Sequence, residues 1–176
     1  MGKKAGTVAK KLVMGAQFSP CRTWRYALWR KWNPSGHNLC AFIGLNPSTA
    51  DEFTDDPTIR RCIGYAKGWG YDGLYMLNVF AFRATEPKDM KAAKDPVGPY
   101  NDRALALTCG NVNLVVAAWG VHGSYCGRCY EVERSLKAHN LRCLGITKGG
   151  LPKHPLYLKK DLQPITLTEA RGGRNP

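Results

Sequence analysis

The sequence predicts an α/β fold: a three-layer α/β/α sandwich on a four-stranded, mostly parallel central sheet, with an added N-terminal β-hairpin strand. Three observations lead there. Four apolar runs, at 39–43, 74–80, 114–118 and 141–146, are continuous rather than alternating, the pattern of strands covered on both faces. Segments of helical spacing separate them, and a strand–helix order gives parallel strands joined by right-handed crossovers. Each run ends at or just before a polar or glycine-rich motif. Parallel strands would bring those motifs to one edge, where open α/β sheets hold their ligands.

The elements follow in order. Residues 1–17 are rich in Lys and Gly and read as a basic flexible arm. In 22–32, Trp24, Tyr26 and Leu28 alternate with Arg25 and Ala27, the period of a half-buried strand. Asn33-Pro34-Ser35-Gly36 is a turn, making a hairpin into the first buried strand at 38–44. Asp55-Asp56-Pro57 starts a helix, because an acid caps and Pro fits the first turn. Ile59, Cys62, Ile63 and Ala66 continue it until the glycines at 68 and 70. Strand two covers 73–80. Residues 83–99 form a charged, Pro-rich loop with one short helix at 87–93. A helix at 99–109 precedes strand three at 113–118, and one at 127–139 precedes strand four at 141–146. A single domain spans 18–164, and 165–176 reads as a C-terminal tail.

With 176 residues and 44% hydrophobic content, the chain has enough apolar material for one core. No apolar stretch reaches the ~20 residues that span a bilayer, and no apolar run follows the N-terminal lysines as a secretory signal would. The expected location is cytoplasmic, with no membrane partner and a monomeric state. Seven cysteines, an odd number, then read as reduced thiols. Charge is uneven: residues 1–50 carry eight Lys or Arg and no acid, and 134–176 carry nine against two acids. The middle, 51–133, has nine basic and eleven acidic residues. Positive charge confined to both ends points to a polyanion, and to nucleic acid as the partner. Solvated basic tails give the same pattern.

Gly44-Leu45-Asn46-Pro47-Ser48-Thr49-Ala50-Asp51 is the sharpest motif. Gly permits a tight turn at a strand end and Pro47 fixes φ, so Asn46 is held either toward the crevice or as a local cap. The Lys-Ser/Thr element of a phosphate loop is missing. Asn78 interrupts an apolar strand; its amide reads a base edge or bonds a neighbouring loop. Trp119-Gly120-Val121-His122 ends strand three, and His154 is held before Pro155-Leu156-Tyr157 in a loop that begins near Lys148. A lone His is more often structural than catalytic, but two at one sheet edge shift that balance. Cys126-Gly127-Arg128-Cys129 is a single Cys-x-x-Cys without the second pair a zinc site usually has. Neither a dinucleotide glycine fingerprint nor a Ser-His-Asp elbow is present, and no cofactor or metal is called for.

Together the four motifs resemble the uracil-DNA glycosylase superfamily. Gly44-Leu45-Asn46-Pro47 is similar to its first-strand motif, Asn78 to its base-reading Asn, Trp119-Gly120 to the end of a third strand, and His154-Pro155-Leu156 to its last loop. The run from Gly44 to Asp51, followed by Asp55-Asp56-Pro57-Thr58-Ile59-Arg60-Arg61-Cys62, also resembles an uncharacterised bacterial and phage family known only as a domain of unknown function.

The superfamily resemblance implies cleavage of an N-glycosidic bond at a damaged, mismatched or modified base flipped out of DNA. Asn46 would position the attacking water, and His154 would stabilise charge on the base oxygen. Gly44, Leu45, Pro47, Ser48, Asp51, Phe53, Asn78, Trp119, Gly120 and His122 would line the base pocket, with Phe53 the candidate for stacking. Lys3, Lys4, Lys10, Lys11, Lys148, Lys153 and Pro155 would contact duplex or single-stranded DNA, and Leu156 or Tyr157 would wedge into the duplex at the vacated place. Departures are visible. Asn46 cannot act as a general base, Ser48 stands where strict uracil enzymes carry an aromatic, and the second Pro of the last motif is absent. A non-catalytic nucleic-acid-binding module, or an enzyme on a free modified nucleotide, is the alternative.

Overall fold

The computed structural model describes residues 12–172. Its elements run β1 (Val13–Phe18), β2 (Arg25–Lys31), β3 (Leu39–Gly44), α1 (Pro57–Gly68), β4 (Gly73–Asn78), α2 (Pro87–Ala92), α3 (Asn101–Cys109), β5 (Leu114–Ala117), α4 (Arg128–Ser135), β6 (Arg142–Cys143), β7 (Ile165–Thr166) and α5 (Leu167–Ala170). Short 3-10 segments cover Val121–Gly127, Lys137–His139 and Pro155–Tyr157. The strands form one sheet in the order β1-β2-β4-β3-β5-β6-β7.

The centre of that sheet follows from residue type. Every residue of β3 is buried, and it lies between β4 and β5, both parallel to it. Ala41 and Ile43 join one core with Leu77, Val115 and Ala117, completed by Leu105 of α3 and Val132 of α4. Cys40 and Phe42 join the other with Leu74, Met76 and Val116, completed by Ile59, Cys62 and Tyr65 of α1. The two-residue period of a strand thus feeds two cores, with helices on both faces. At the start of α1, Asp56 Oδ1 accepts from the Ile59 N–H at 2.8 Å and Pro57 occupies the first turn. Trp69 follows the helix, stacked on Phe42 at 5.8 Å and Tyr65 at 5.4 Å between ring centroids. The register sets Gly44 opposite Asn78 and Ile43 opposite Ala117, so β3, β4 and β5 end at one level.

The α/β class holds, while the four-stranded, mostly parallel sheet is corrected. Seven strands are present among the described residues, and the sheet is mixed. The pairs β3–β4, β3–β5 and β5–β6 are parallel; β1–β2, β2–β4 and β6–β7 are antiparallel. The last residues of the expected arm form β1, paired with β2. The turn at 33–36 does not fold β2 back onto β3, because β4 lies between them and pairs with β2 instead. Strand four shrinks to Arg142–Cys143, with Gly145 at φ 130 just beyond it. Part of the expected tail becomes β7 and α5, closed by a capping box between Thr166 and Glu169. The alternation in β2 also misplaces a face: Arg25 and Ala27, expected toward solvent, are buried.

Arg30 explains how such a strand is tolerated. Its side chain is fully buried, and its Nε donates to Asp55 Oδ1 at 2.8 Å. Nη2 donates to Asp51 O at 2.7 Å and Nη1 to Trp29 O at 2.9 Å. A buried cation is stable when paired and fully hydrogen-bonded, and removing one partner of such a pair costs about 3–5 kcal/mol. Asp55→Ala should therefore lower stability by about 3 kcal/mol in urea unfolding. Glu52→Ala, which removes the partner of exposed Arg22, should leave the midpoint near wild type. Equal midpoints for the two variants would refute this account.

Candidate functional site

The carboxyl ends of β3, β4 and β5 surround a cavity of about 330 Å³. Gly44, Leu45, Asn46, Ser48, Asn78, Trp119, Gly120, His122 and His154 all line it, so the motifs separated in sequence meet in space. Arg25, Asp56, Thr58, Ile59, Met76, Ala84, Thr85, Pro87 and Val121 complete the lining.

Asn46 leaves β3 and turns its amide toward the loop after β4. Nδ2 donates to Ala84 O at 2.7 Å and to Pro47 O at 3.1 Å, with Phe82 O at 3.5 Å. The donor end of the amide is thereby committed to the backbone. Oδ1, the acceptor end, has no partner among the described residues. Asn46 thus braces a turn through its donor end, and the residue lies on the cavity lining.

Asn78 is 1% exposed, and neither Nδ2 nor Oδ1 has a hydrogen-bond partner. Its backbone is well served, since Asn101 Nδ2 donates to Asn78 O at 3.0 Å. The neighbouring-loop partner for its side chain is not found. An amide with donor and acceptor both unmet at a cavity wall is equipped to read a planar edge carrying the complementary pair. Gly44 makes the space: a Cβ there would stand 2.9 Å from Asn78 Oδ1 and 2.6 Å from Met76 Cε.

His154 is half-buried and precedes the 3-10 turn Pro155–Tyr157. Its Nδ1 accepts from the Leu156 N–H at 3.4 Å. In the neutral ring this acceptor role assigns the proton to Nε2, which is then a donor. Burial pulls the ring's pKa below the ordinary 6.5, and the Asp56 carboxylate opposes that pull. The loop is tied to β5: Gly120, at φ 70, donates its N–H to Pro152 O at 2.9 Å, and a Cβ on it would lie 3.6 Å from His154 Cβ.

Other expectations fare differently. The Trp119 ring is a core group, 1% exposed, packed so that a Cβ on Gly123 would come within 2.2 Å of it. His122 is exposed, with Nδ1 3.3 Å from Lys91 Nζ. Pro47 is buried outside the lining, and Asp51 spends Oδ1 on the Phe53 and Thr54 N–H groups. Phe53 is 85% exposed and does not line the cavity, so it is not a stacking wall there. Lys148 and Lys153 are exposed, and Pro155 is buried. Leu156 is half-buried and Tyr157 is 90% exposed, so only the latter projects freely. Lys3, Lys4, Lys10 and Lys11 lie outside the described residues.

All seven cysteines are unpaired, and Cys126 is exposed while Cys129 is buried. Among the described residues no group of three or more His, Cys, Asp or Glu converges as a metal site would. No described helix is long and apolar enough to cross a membrane. A larger hollow of about 450 Å³ near α4 and α5 contains Arg171 and Glu133, which satisfy each other at 2.8 Å, and has no orphaned buried polar atom.

Arg25 was missed by the sequence reading. It is 2% exposed and lines the cavity, and Nη1 donates to Ala50 O at 2.8 Å. Burial lowers its pKa to about 10. A period-two pattern gives no sign of this, because the carbonyl it meets lies 25 residues on.

Comparison with known proteins adds a family without an activity. Residues 25–156 match the family model described as a protein of unknown function (DUF1643), and the chain belongs to that family. No curated protein and no solved structure matches the chain.

The lowered pKa of His154 has a signed consequence. The unfolded ring takes a proton near 6.5, and the folded one resists it. Its contribution to stability is therefore present above pH 6.5 and is lost as pH falls through the lower folded value. His154→Gln should flatten that part of the stability profile, measured as urea midpoints between about pH 8 and pH 5. Parallel profiles for variant and wild type would show that burial of the ring is not felt.

Proposed function

We propose that this DUF1643 protein is a DNA glycosylase-like hydrolase, taking a base flipped out of DNA into the cavity and cleaving its N-glycosidic bond. The observation that carries the reading is Asn78, a buried amide with both ends unmet, on the wall of a cavity shared with Asn46 and His154. In this reading Asn78 bonds the edge of the base. Asn46 Oδ1 holds a water toward the sugar carbon. As the glycosidic bond breaks, its electron pair moves into the base, and the His154 Nε2–H donates to the oxygen where that charge collects. Asn46 cannot take the water's proton, which leaves to solvent, so a slow enzyme is expected.

The resemblance to the uracil-DNA glycosylase superfamily supports the same assignment, and the half-buried Ser48 leaves room for a substituted base. Exposed Lys148, Lys153 and Tyr157 flank His154 in the chain, consistent with phosphate contacts and a wedge beside the cavity.

The test is base release from a panel of oligonucleotides carrying mismatched, damaged or modified bases, read by alkaline cleavage at the abasic site. Asn46→Ala and His154→Ala should each lower release by about 10²–10³ while keeping fold and DNA affinity. Release that neither variant slows would remove the assignment. A wild-type protein that binds DNA with a steep salt dependence and releases nothing would be a binding module instead.

A further inference from the structure

Two guanidinium groups beside the cavity lack a carboxylate. Among the described residues Arg22, Arg30, Arg128 and Arg171 form ion pairs with Glu52, Asp55, Asp102 and Glu133. Arg25 and Arg83 form none, and the Nε of each is buried without a hydrogen-bond partner. Arg83 uses Nη1 on Arg22 O at 3.2 Å and stacks over the Phe18 ring at 4.9 Å. A guanidinium stacked on an aromatic face keeps its edge N–H groups available to an oxyanion.

The two arginines are also close in charge: besides burial, Arg83 and Arg30 oppose the charge on Arg25, while Asp56 and Asp51 favour it. Both acids are occupied locally, Asp56 as the cap of α1 and Asp51 on two backbone N–H groups. A shallow hollow containing Arg22 and Arg83 adjoins the cavity and shares Ser48, Ala84 and Thr85 with it. Arg25 therefore lines the cavity side of the shared rim, Arg83 the outer side, and Ser48, Ala84 and Thr85 are common to both.

We propose that Arg25 and Arg83 form a phosphate-binding site at this rim, so that the ligand of the cavity is a nucleotide carrying its phosphate, not a free base or nucleoside. This rests on reading the cavity as a base pocket. Planar guanidinium forks bind phosphate through paired N–H groups, and the two unmet Nε–H donors are those such a group would satisfy. The phosphate belongs either to a DNA strand or to a free mononucleotide.

The experiment follows the arginine Nε–H signals of the full chain by NMR at low salt, assigned with Arg83→Gln and Arg25→Lys. The probes are inorganic phosphate, the four deoxynucleoside 5′-monophosphates, their nucleosides, and a trinucleotide with a tetrahydrofuran abasic centre. Both Nε–H signals should move saturably with the phosphate-bearing probes and stay still with nucleosides. Arg83→Gln should weaken binding at least tenfold. Tighter binding of the trinucleotide than of the monophosphates assigns the site to strand phosphate, and the reverse order assigns it to free nucleotide.

Signals that do not move, nucleosides that bind as well as nucleotides, or unchanged affinity in Arg83→Gln would each overturn the proposal. Should the Arg25 variant fail to fold, the Arg25 signal is assigned by triple-resonance experiments on the wild type, and the Arg83→Gln affinity decides the test by itself. Base release without phosphate binding here would reject this site and keep the glycosylase reading; phosphate binding without base release would do the opposite.

Discussion

The architecture around the cavity depends on one buried cation. Arg30 reaches from β2 to the loop that follows β3, bonding Asp51 O, Thr54 O and the Asp55 carboxylate. The next residue, Asp56, caps α1. One guanidinium thus joins an antiparallel strand, the far end of the loop that begins with Asn46 and Ser48, and the entry of the helix that covers one face. Arg25 repeats the device five residues earlier on Ala50 O. The antiparallel β1–β2 pair is more than an edge added to a parallel sheet, because its arginines hold the site loop in place.

What could be read from the chain, and what could not, divides along physical lines. β3, β4 and β5 announce themselves because a strand covered on both faces must be apolar throughout. The start of α1 is legible because Asp56-Pro57 is a local signal, complete within one turn. β6 and β7 are two residues each, too short to carry a period, and Gly145 cuts the fourth apolar run after its first part. β1, Val13–Phe18, follows a Lys- and Gly-rich stretch and is broken by Gly15 and Gln17, so its apolar residues show no clear period until β2 pairs with it. In the site, Asn46, Asn78 and His154 stand out because each is polar where an apolar or structureless stretch is expected. Arg25 and Arg83 do not, since a charged residue next to a turn looks solvated until distant chain folds over it. Phe53 fails for the converse reason: aromatic character proposes a stacking wall, and only the loop path decides that it faces solvent.

The cavity concentrates unmet polarity. Asn78 with two atoms, and Arg25 and Trp119 with one each, are buried without partners around the same space. Each such group typically costs about 1–3 kcal/mol. A fold that meets its backbone demands as fully as this one does around Asn78, through Asn101 and Gly44, has tolerated that cost at one edge of one sheet. Such local violations of otherwise consistent packing gather where a ligand is to complete them.

His154 also couples two events that a static picture keeps apart. Its Nδ1 accepts the N–H that opens the turn carrying Tyr157, whose side chain stands 90% clear of the protein. A proton on Nδ1 would remove that acceptor and leave the turn without its opening bond. The turn has a second tie, the Arg61 guanidinium donating to Pro155 O and Leu158 O, so a helix on one face of the sheet and an imidazole in the cavity wall clasp the same three residues from two sides.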